Sequence, residues 1–253
     1  MHPNVKRLLE KEYDEQRSEA WLKLRGNMLT ASDCASAIGE NKYQTPEDLL
    51  LKKCGIGEKF TGNAATEWGT QQEPIAIKMF EEQYGEKVNE LGLIPHEKYP
   101  WLGGSPDGLT DTNCLVEIKC PMMRAIVPGE VPRHYLPQVQ LCMEIMDVET
   151  CFFVQYQPTE ISWPREAVFD VTVVKRDREW FKTYLPVMKE FWDKVIYFRE
   201  HLDELPKPKE KKTRKKKEVP PPVCEIQPIS DEDMYVDDWA RALRASSASS
   251  SVA

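Results

Sequence analysis

Apolar residues recur along this chain with two periods, and the changes of period mark out its elements. Val5, Leu8, Leu9 and Tyr13, followed by Trp21, Leu22 and Leu24, predict helix over residues 4–25. Thr45-Pro46-Glu47-Asp48 reads as a helix start, with Thr as N-cap, Pro at the first helical position and acids in the first turn. That helix runs to about Cys54 and stops at Gly55. A longer helix is predicted from Asn63 to about Tyr84, closed by Gly85, and Pro74 predicts an interruption at Glu73. Alternation then takes over, predicting strands at 87–95, 115–120, 150–157 and 167–174, with a helix at 133–146 between the second and third. Residues 176–201 carry Trp180, Phe181, Tyr184, Leu185, Phe191 and Trp192 at helical spacing, a stripe that reads as core packing. Helices first, then strands broken by helices, describe an α/β fold with a mixed central sheet flanked by helices.

The pattern fails after Leu205. Residues 207–217 hold a Lys/Arg-rich run, followed by Pro220-Pro221-Pro222. Too little apolar surface remains there to form a core, so 1–205 is expected to be the folded domain and 206–253 a disordered linker. The linker ends in an acidic segment with Tyr235, Trp239, Ala240 and Leu243 at helical spacing, a candidate partner-binding helix. The basic run suits a nuclear localisation signal, a DNA-binding arm or a solvated linker equally.

Composition narrows the picture further. The 253 residues are 41% hydrophobic and 30% charged, with a net charge of −8, which argues mildly against a nucleic-acid partner. Local charge can still override that balance. The 7 cysteines contain no C-x-x-C pair, which speaks against a disulfide framework, a zinc finger or an iron–sulfur cluster and for a reducing compartment. The N-terminus lacks an apolar signal region and no apolar run approaches membrane-spanning length, so an intracellular, soluble protein is expected.

The densest chemistry lies at Gly103-Gly104-Ser105-Pro106-Asp107-Gly108-Leu109 and Leu115-Val116-Glu117-Ile118-Lys119-Cys120-Pro121. Asp107 sits in a Pro-Asp-Gly turn. Period 2 puts Glu117 and Lys119 on one strand face and Val116 and Ile118 on the other. A hairpin-like return brings Asp107 and Glu117 together, making an oxygen-ligand site suited to Mg²⁺ or Mn²⁺. An adjacent ammonium can orient a water or neutralise charge developing on a phosphate. By itself, D-x(n)-E-x-K fits a surface turn and a salt-bridged edge strand about as well.

Two further stretches bear on this site. Arg25 precedes Thr30-Ala31-Ser32-Asp33, where either hydroxyl can cap a helix from about Asp33 to Ile38, so a phosphate site and a plainly capped helix are both open. Glu73 is either a solvated helix acid or a carboxylate aimed at the metal. Gln138 and Gln140 lie on different helix faces, so at most one reaches the site.

Taken together, Trp21-x-x-Leu24-Arg25, Leu29-Thr30-Ala31-Ser32, Trp68-Gly69 with Glu73, Ser105-Pro106-Asp107-Gly108-Leu109, Glu117-Ile118-Lys119-Cys120-Pro121 and Tyr135-x-x-Gln138 resemble, in the same order, the YqaJ-like viral recombinase nucleases of the PD-(D/E)xK superfamily. The resemblance runs from about Trp21 to Tyr156 and implies a restriction-endonuclease-like core. It implies Asp107, Glu117 and the main-chain carbonyl of Ile118 as metal ligands, with Glu73 holding a second Mg²⁺ directly or through water. It implies Lys119 as the residue that positions or activates the attacking water, Gln138 as its support, and Arg25, Ser32 and Ser105 as contacts to the DNA 5′-phosphate. The activity implied is 5′→3′ exonuclease action on double-stranded DNA ends, leaving 3′ single strands for an annealing protein. An endonuclease of the same superfamily and a non-catalytic DNA-end-binding scaffold are the alternatives. A phage member of the family is a ring-shaped trimer, and the basic run at 207–217 would suit a virus of a nucleated host.

Overall fold

A computed structural model describes residues 1–206 apart from 15, 17, 57–61 and 160–165. The basic run and the acidic C-terminal segment therefore lie outside the described residues.

In chain order the helices are α1 (Pro3–Leu9), α2 (Glu19–Gly26), α3 (Ala31–Ala37), α4 (Pro46–Lys53), α5 (Ala64–Tyr84), α6 (Leu136–Met146) and α7 (Arg178–Glu200). The strands are β1 (Leu29–Thr30), β2 (Val88–Asn89), β3 (Ile94–Pro95), β4 (Leu102–Gly104), β5 (Gly108–Thr110), β6 (Leu115–Lys119), β7 (Thr150–Gln157) and β8 (Val168–Lys175). They form a five-stranded sheet in the order β2-β5-β6-β7-β8 and a three-stranded sheet in the order β1-β4-β3. In the larger sheet β5 and β6 are an antiparallel hairpin, while β6 and β7 run parallel. Parallel neighbours need a long return, and η1 (Arg133–Tyr135) with α6 supplies it. The mixed sheets flanked by helices match the fold class read from the sequence.

Alternation along the central strands builds a core on each face. Leu115, Cys151 and Phe153 pack with Leu141 and Met143 of α6 and with Phe191 and Trp192 of α7. Val116, Ile118, Val154 and Tyr156 pack on the other face against Ala76 and Phe80 of α5. Glu117 therefore points into the α6 side, among apolar neighbours. The connection after β6 is fastened to the sheet by buried glutamines of β7. Gln155 Nε2 donates to the Glu130 carbonyl and Gln157 Nε2 to that of Pro121, each at 3.0 Å.

Several elements depart from the sequence reading. The helix expected over 4–25 is two helices, one ending at Leu9 and the next starting at Glu19, and between them Tyr13 folds over Gly92. A Cβ on Gly92 would lie 2.3 Å from the Tyr13 Cβ, so only glycine permits that approach. The strand expected at 87–95 is β2 and β3, in different sheets, with that glycine between them. The α5 helix is continuous through Pro74, which leaves the Thr70 carbonyl without a backbone donor from residue 74. It ends at Gly85, whose φ of 66° is the left-handed cap expected there. The third helix starts at Ala31, earlier than Asp33, and the Thr30 hydroxyl makes no cap bond.

Candidate active site

The β5–β6 hairpin assembles the acidic centre. Gly108 is opposite Val116, so continuing the register by one residue puts Asp107 across from Glu117. Asp107 Oδ2 accepts from the Ile118 amide at 2.7 Å, which locks the turn acid onto the strand. Glu117 is fully buried, and its Oε1 accepts from both Lys119 Nζ and Gln138 Nε2. Its Oε2 is buried with no hydrogen-bond partner among the described residues. Such an orphaned carboxylate oxygen is costly unless a cation or water completes it.

Electrostatics follow from that burial. Desolvation pushes the Glu117 carboxyl up to about 7, with Lys119 pulling against it and Asp107 and Glu73 adding to it. For Lys119, burial lowers the pKa, but Glu117 first and Asp107 second outweigh it and raise it above the usual lysine range. The ammonium therefore stays charged, 5.3 Å from the centre of the Tyr135 ring.

Glu73 comes to this place from α5. With Asp107 it lines a cleft of about 340 Å³ that also meets Ile118, Lys119 and Tyr135. The same two acids line a second cleft of about 490 Å³, walled by Tyr13, Asp14 and Glu90. Among the described residues no three His, Cys, Asp or Glu side chains form a ready-made metal cluster. A hard cation there would bind the bare Glu117 Oε2 and Asp107, and would complete its shell with water or main-chain oxygen. Three carboxylates facing one ammonium leave the negative charge such an ion requires.

The smaller sheet brings the second group of residues alongside. β1 pairs in parallel with β4, Thr30 opposite Gly103, so both strands end on the same side. α3 begins after one and Ser105-Pro106-Asp107 follows the other. Arg25 Nη2 donates to Ser32 Oγ at 2.8 Å, and its guanidinium lies 4.4 Å over the Trp21 ring. Burial lowers the Arg25 pKa, partly offset by Asp33. The Ser105 hydroxyl is buried without a partner among the described residues.

Beneath Arg25 lies a residue the sequence did not point to. Lys53 Nζ, at the end of α4, donates to the carbonyls of Arg25 and Met28 at 3.0 and 2.8 Å and pairs with Asp33 Oδ2 at 2.8 Å. Burial would raise the Asp33 carboxyl, but Lys53 foremost and then Lys52 outweigh it and hold it at about 2. The counterpart is paid by Lys53, whose pKa burial lowers despite Asp33. A lysine in the last turn of a helix reads as a surface charge facing the helix dipole, and no local pattern marks its partner.

The sequence-predicted residues thus fall into two neighbouring groups: Asp107, Glu117, Ile118, Lys119, Gln138 and Glu73, and Arg25 with Ser32. Ser105 stands in the segment that joins β4 to Asp107. Gln140 turns away, its Nε2 donating to the Lys175 carbonyl and its Oε1 accepting from the Asp177 amide.

Several known proteins are similar to this chain. The chain is 31% identical over 167 residues to an uncharacterized protein of Acanthamoeba polyphaga mimivirus, covering 59% of this chain and 30% of that one. It is 29% identical over 161 residues to a protein of African swine fever virus, covering 51% and 46%. A Bacillus subtilis relative is 26% identical over 192 residues, covering 72% and 58%. The chain thus spans from about a third to somewhat over half the length of these relatives. Among solved structures, an alkaline exonuclease from Laribacter hongkongensis superposes with a TM-score of 0.62 at 27% identity, covering 74% of this chain and 96% of that one. A phage-related exonuclease from Haemophilus somnus shares the fold, with a TM-score of 0.53 at 15% identity, covering 71% and 96%. The YqaJ-like viral recombinase domain matches residues 20–149, which takes in both groups of site residues, and the chain belongs to that family.

Proposed function

We propose that this protein is a metal-dependent exonuclease that degrades double-stranded DNA ends in the 5′→3′ direction and leaves 3′ single strands for recombination or repair. One observation carries the reading: a fully buried Glu117, across the hairpin from Asp107, has one oxygen held by Lys119 and Gln138 and the other bare. A structural salt bridge has no use for the bare oxygen, whereas a divalent cation does. The name of the Laribacter hongkongensis neighbour, an alkaline exonuclease, supports the same reaction class.

In this reading Asp107, Glu117 and the Ile118 carbonyl hold Mg²⁺, and Glu73 serves a second ion from α5. Mn²⁺ suits the same oxygen donors. The bound ions supply a water of lowered pKa and neutralise charge on the leaving oxygen. Lys119, beside Glu117, positions or activates the attacking water and stabilises charge on the phosphate. Gln138 fixes the Glu117 carboxylate. Arg25 and Ser32, with the nearby Ser105, receive the terminal 5′-phosphate, a bidentate-capable cation and a hydroxyl being suited to it.

The test is a linear duplex carrying a 5′-phosphate at one end only, incubated with the protein and Mg²⁺, with Lys119→Ala in parallel. Digestion from the phosphorylated end that Lys119→Ala abolishes is expected. Cleavage of a closed circular plasmid instead identifies an endonuclease and removes the Arg25–Ser32 role. DNA-end binding without any cleavage leaves a non-catalytic scaffold.

A further inference from the structure

A chain of aromatic rings leads out of the catalytic cleft. The Lys119 ammonium lies over Tyr135. The Tyr135 ring lies 4.1 Å, centre to centre, from His134, and His134 meets Tyr43 edge-on at 5.5 Å. Tyr43 stands at the far end with 72% of its surface exposed. Single exposed apolar side chains are ordinary and need no explanation. This one differs in its support and in its charge.

The support is rigid. Tyr43 sits in the connection between α3 and α4, which is pinned at several points. The Asn41 and Glu40 amides both donate to the Ala35 carbonyl, at 3.0 and 2.8 Å. Asn41 Nδ2 donates to Ser36 Oγ, which donates onward to Gln44 Oε1, at 2.9 and 3.0 Å. The Tyr43 amide donates to Asn41 Oδ1 at 2.9 Å. The exposed ring is therefore held out by a pre-ordered turn, and little conformational entropy is lost when something stacks on it.

The charge is positive, against the negative balance of the whole chain. Lys42 Nζ lies 4.8 Å over the Tyr43 ring. Arg124 is fixed beside the site by donating to Gln155 at 2.8 Å. Burial first, then the charges of Lys42, Arg124 and Lys119, lower the His134 pKa and favour the neutral ring. Arg133 is 84% exposed next to it. The neighbouring carboxylate, Glu40, is engaged by the Tyr184 hydroxyl at 2.8 Å and by Arg133 at 3.7 Å. An exposed aromatic ring with a second ring edge-on to it and cations alongside is what an unpaired nucleic-acid strand recognises, with its bases on the rings and its phosphates on the charges.

We infer that Tyr43 and His134 form a stacking site for unpaired nucleobases of DNA at the mouth of the cleft, with Lys42, Arg124 and Arg133 contacting the backbone. The inference rests on the nuclease reading for its substrate, and it adds a base-recognising surface outside the acidic centre. It makes the enzyme hold a frayed or single-stranded segment by its bases, independently of sequence.

The test separates binding from chemistry. A fluorescent single-stranded oligonucleotide is titrated with the full chain in EDTA, beside the same strand with abasic positions in place of its bases. For the base-bearing strand, Tyr43→Ala is expected to weaken binding about 5- to 150-fold, the range for loss of one base–aromatic stack. Tyr43→Phe keeps the ring and should bind like wild type. On the abasic strand wild type and Tyr43→Ala should bind alike. Equal loss on both strands, no loss on either, or wild type failing to bind the base-bearing strand each overturns the inference. Digestion of duplex in Mg²⁺, with its Lys119→Ala control, reports the nuclease reading separately, so either claim can fail alone.

Discussion

Lys53→Met probes the support beneath Arg25. The substitution keeps the length of the side chain and removes its charge. Three acceptors lose their donor: the carbonyls of Arg25 and Met28 and the Asp33 carboxylate. Removing one partner of a buried ion pair costs about 3–5 kcal/mol, mostly because the other charge is stranded. Lys52 remains 3.6 Å from Asp33 Oδ1, and the Thr30 hydroxyl still donates to Oδ2 at 2.9 Å. The loss should therefore fall at the lower end, about 3 kcal/mol. With a urea slope of about 2 kcal/mol/M, the unfolding midpoint should drop by roughly 1.5 M at unchanged slope. Adding Asp33→Leu removes the stranded charge and should restore much of the loss, since a buried pair exchanged for apolar residues is often near neutral. A midpoint change below about 0.3 M, or a double variant no more stable than the single, refutes the reasoning. Under the proposed function, the single variant should also discriminate less between 5′-phosphorylated and 5′-hydroxyl duplex, because the Arg25 backbone has lost its tether.

Other predictions follow from separate parts of the molecule. The Asp33 carboxyl is held at about 2 against an ordinary 3.8, so the stability it contributes is present above pH 3.8 and is lost as pH falls through about 2. That contribution is at most about 2.5 kcal/mol, and the stability gap between wild type and Asp33→Asn in urea titrations should close over the same range. Gln138→Ala frees Glu117 Oε1 of one donor and should slow DNA digestion by about 10- to 100-fold with little change in melting temperature; a large melting shift with unchanged rate would make Gln138 structural. Gly92→Ala drives a Cβ into Tyr13 and should destabilise by about 1–3 kcal/mol. Thermal melts should show Tyr13→Gly relieving most of that cost, and a Gly92→Ala melt equal to wild type would show that the segment moves aside freely.

The acidic hairpin was legible because its signals are local. Pro-Asp-Gly sets the turn, period-2 alternation sets the faces, and together they fix the register that puts Asp107 across from Glu117. The strands at 150–157 and 167–174 were legible for the same reason. The break after Leu9 was not, since apolar spacing continues through Tyr13, whose contact with Gly92 is remote in sequence. Pro74 signalled a break that the neighbouring turns of α5 override, because a long helix loses only one bond to it. Lys53 and Asp33 escaped notice as an ordinary helix-end lysine and an ordinary first-turn acid, whose pairing is a property of tertiary structure. Tyr43 carried no periodic signal at all, and its meaning comes from His134, remote in sequence.

The parallel pairing of β1 with β4 has a consequence under the proposed function. Arg25 and Ser32 flank one strand, and Ser105 and Asp107 follow the other, so under the proposed function the clamp for the end of the strand and the first acid of the scission site are both anchored to one short sheet. Loops can breathe, whereas hydrogen-bonded neighbours in a sheet keep their spacing. Under the proposed function the interval between them acts as a ruler, and every turnover should cut off a piece of the same length whatever the sequence being consumed.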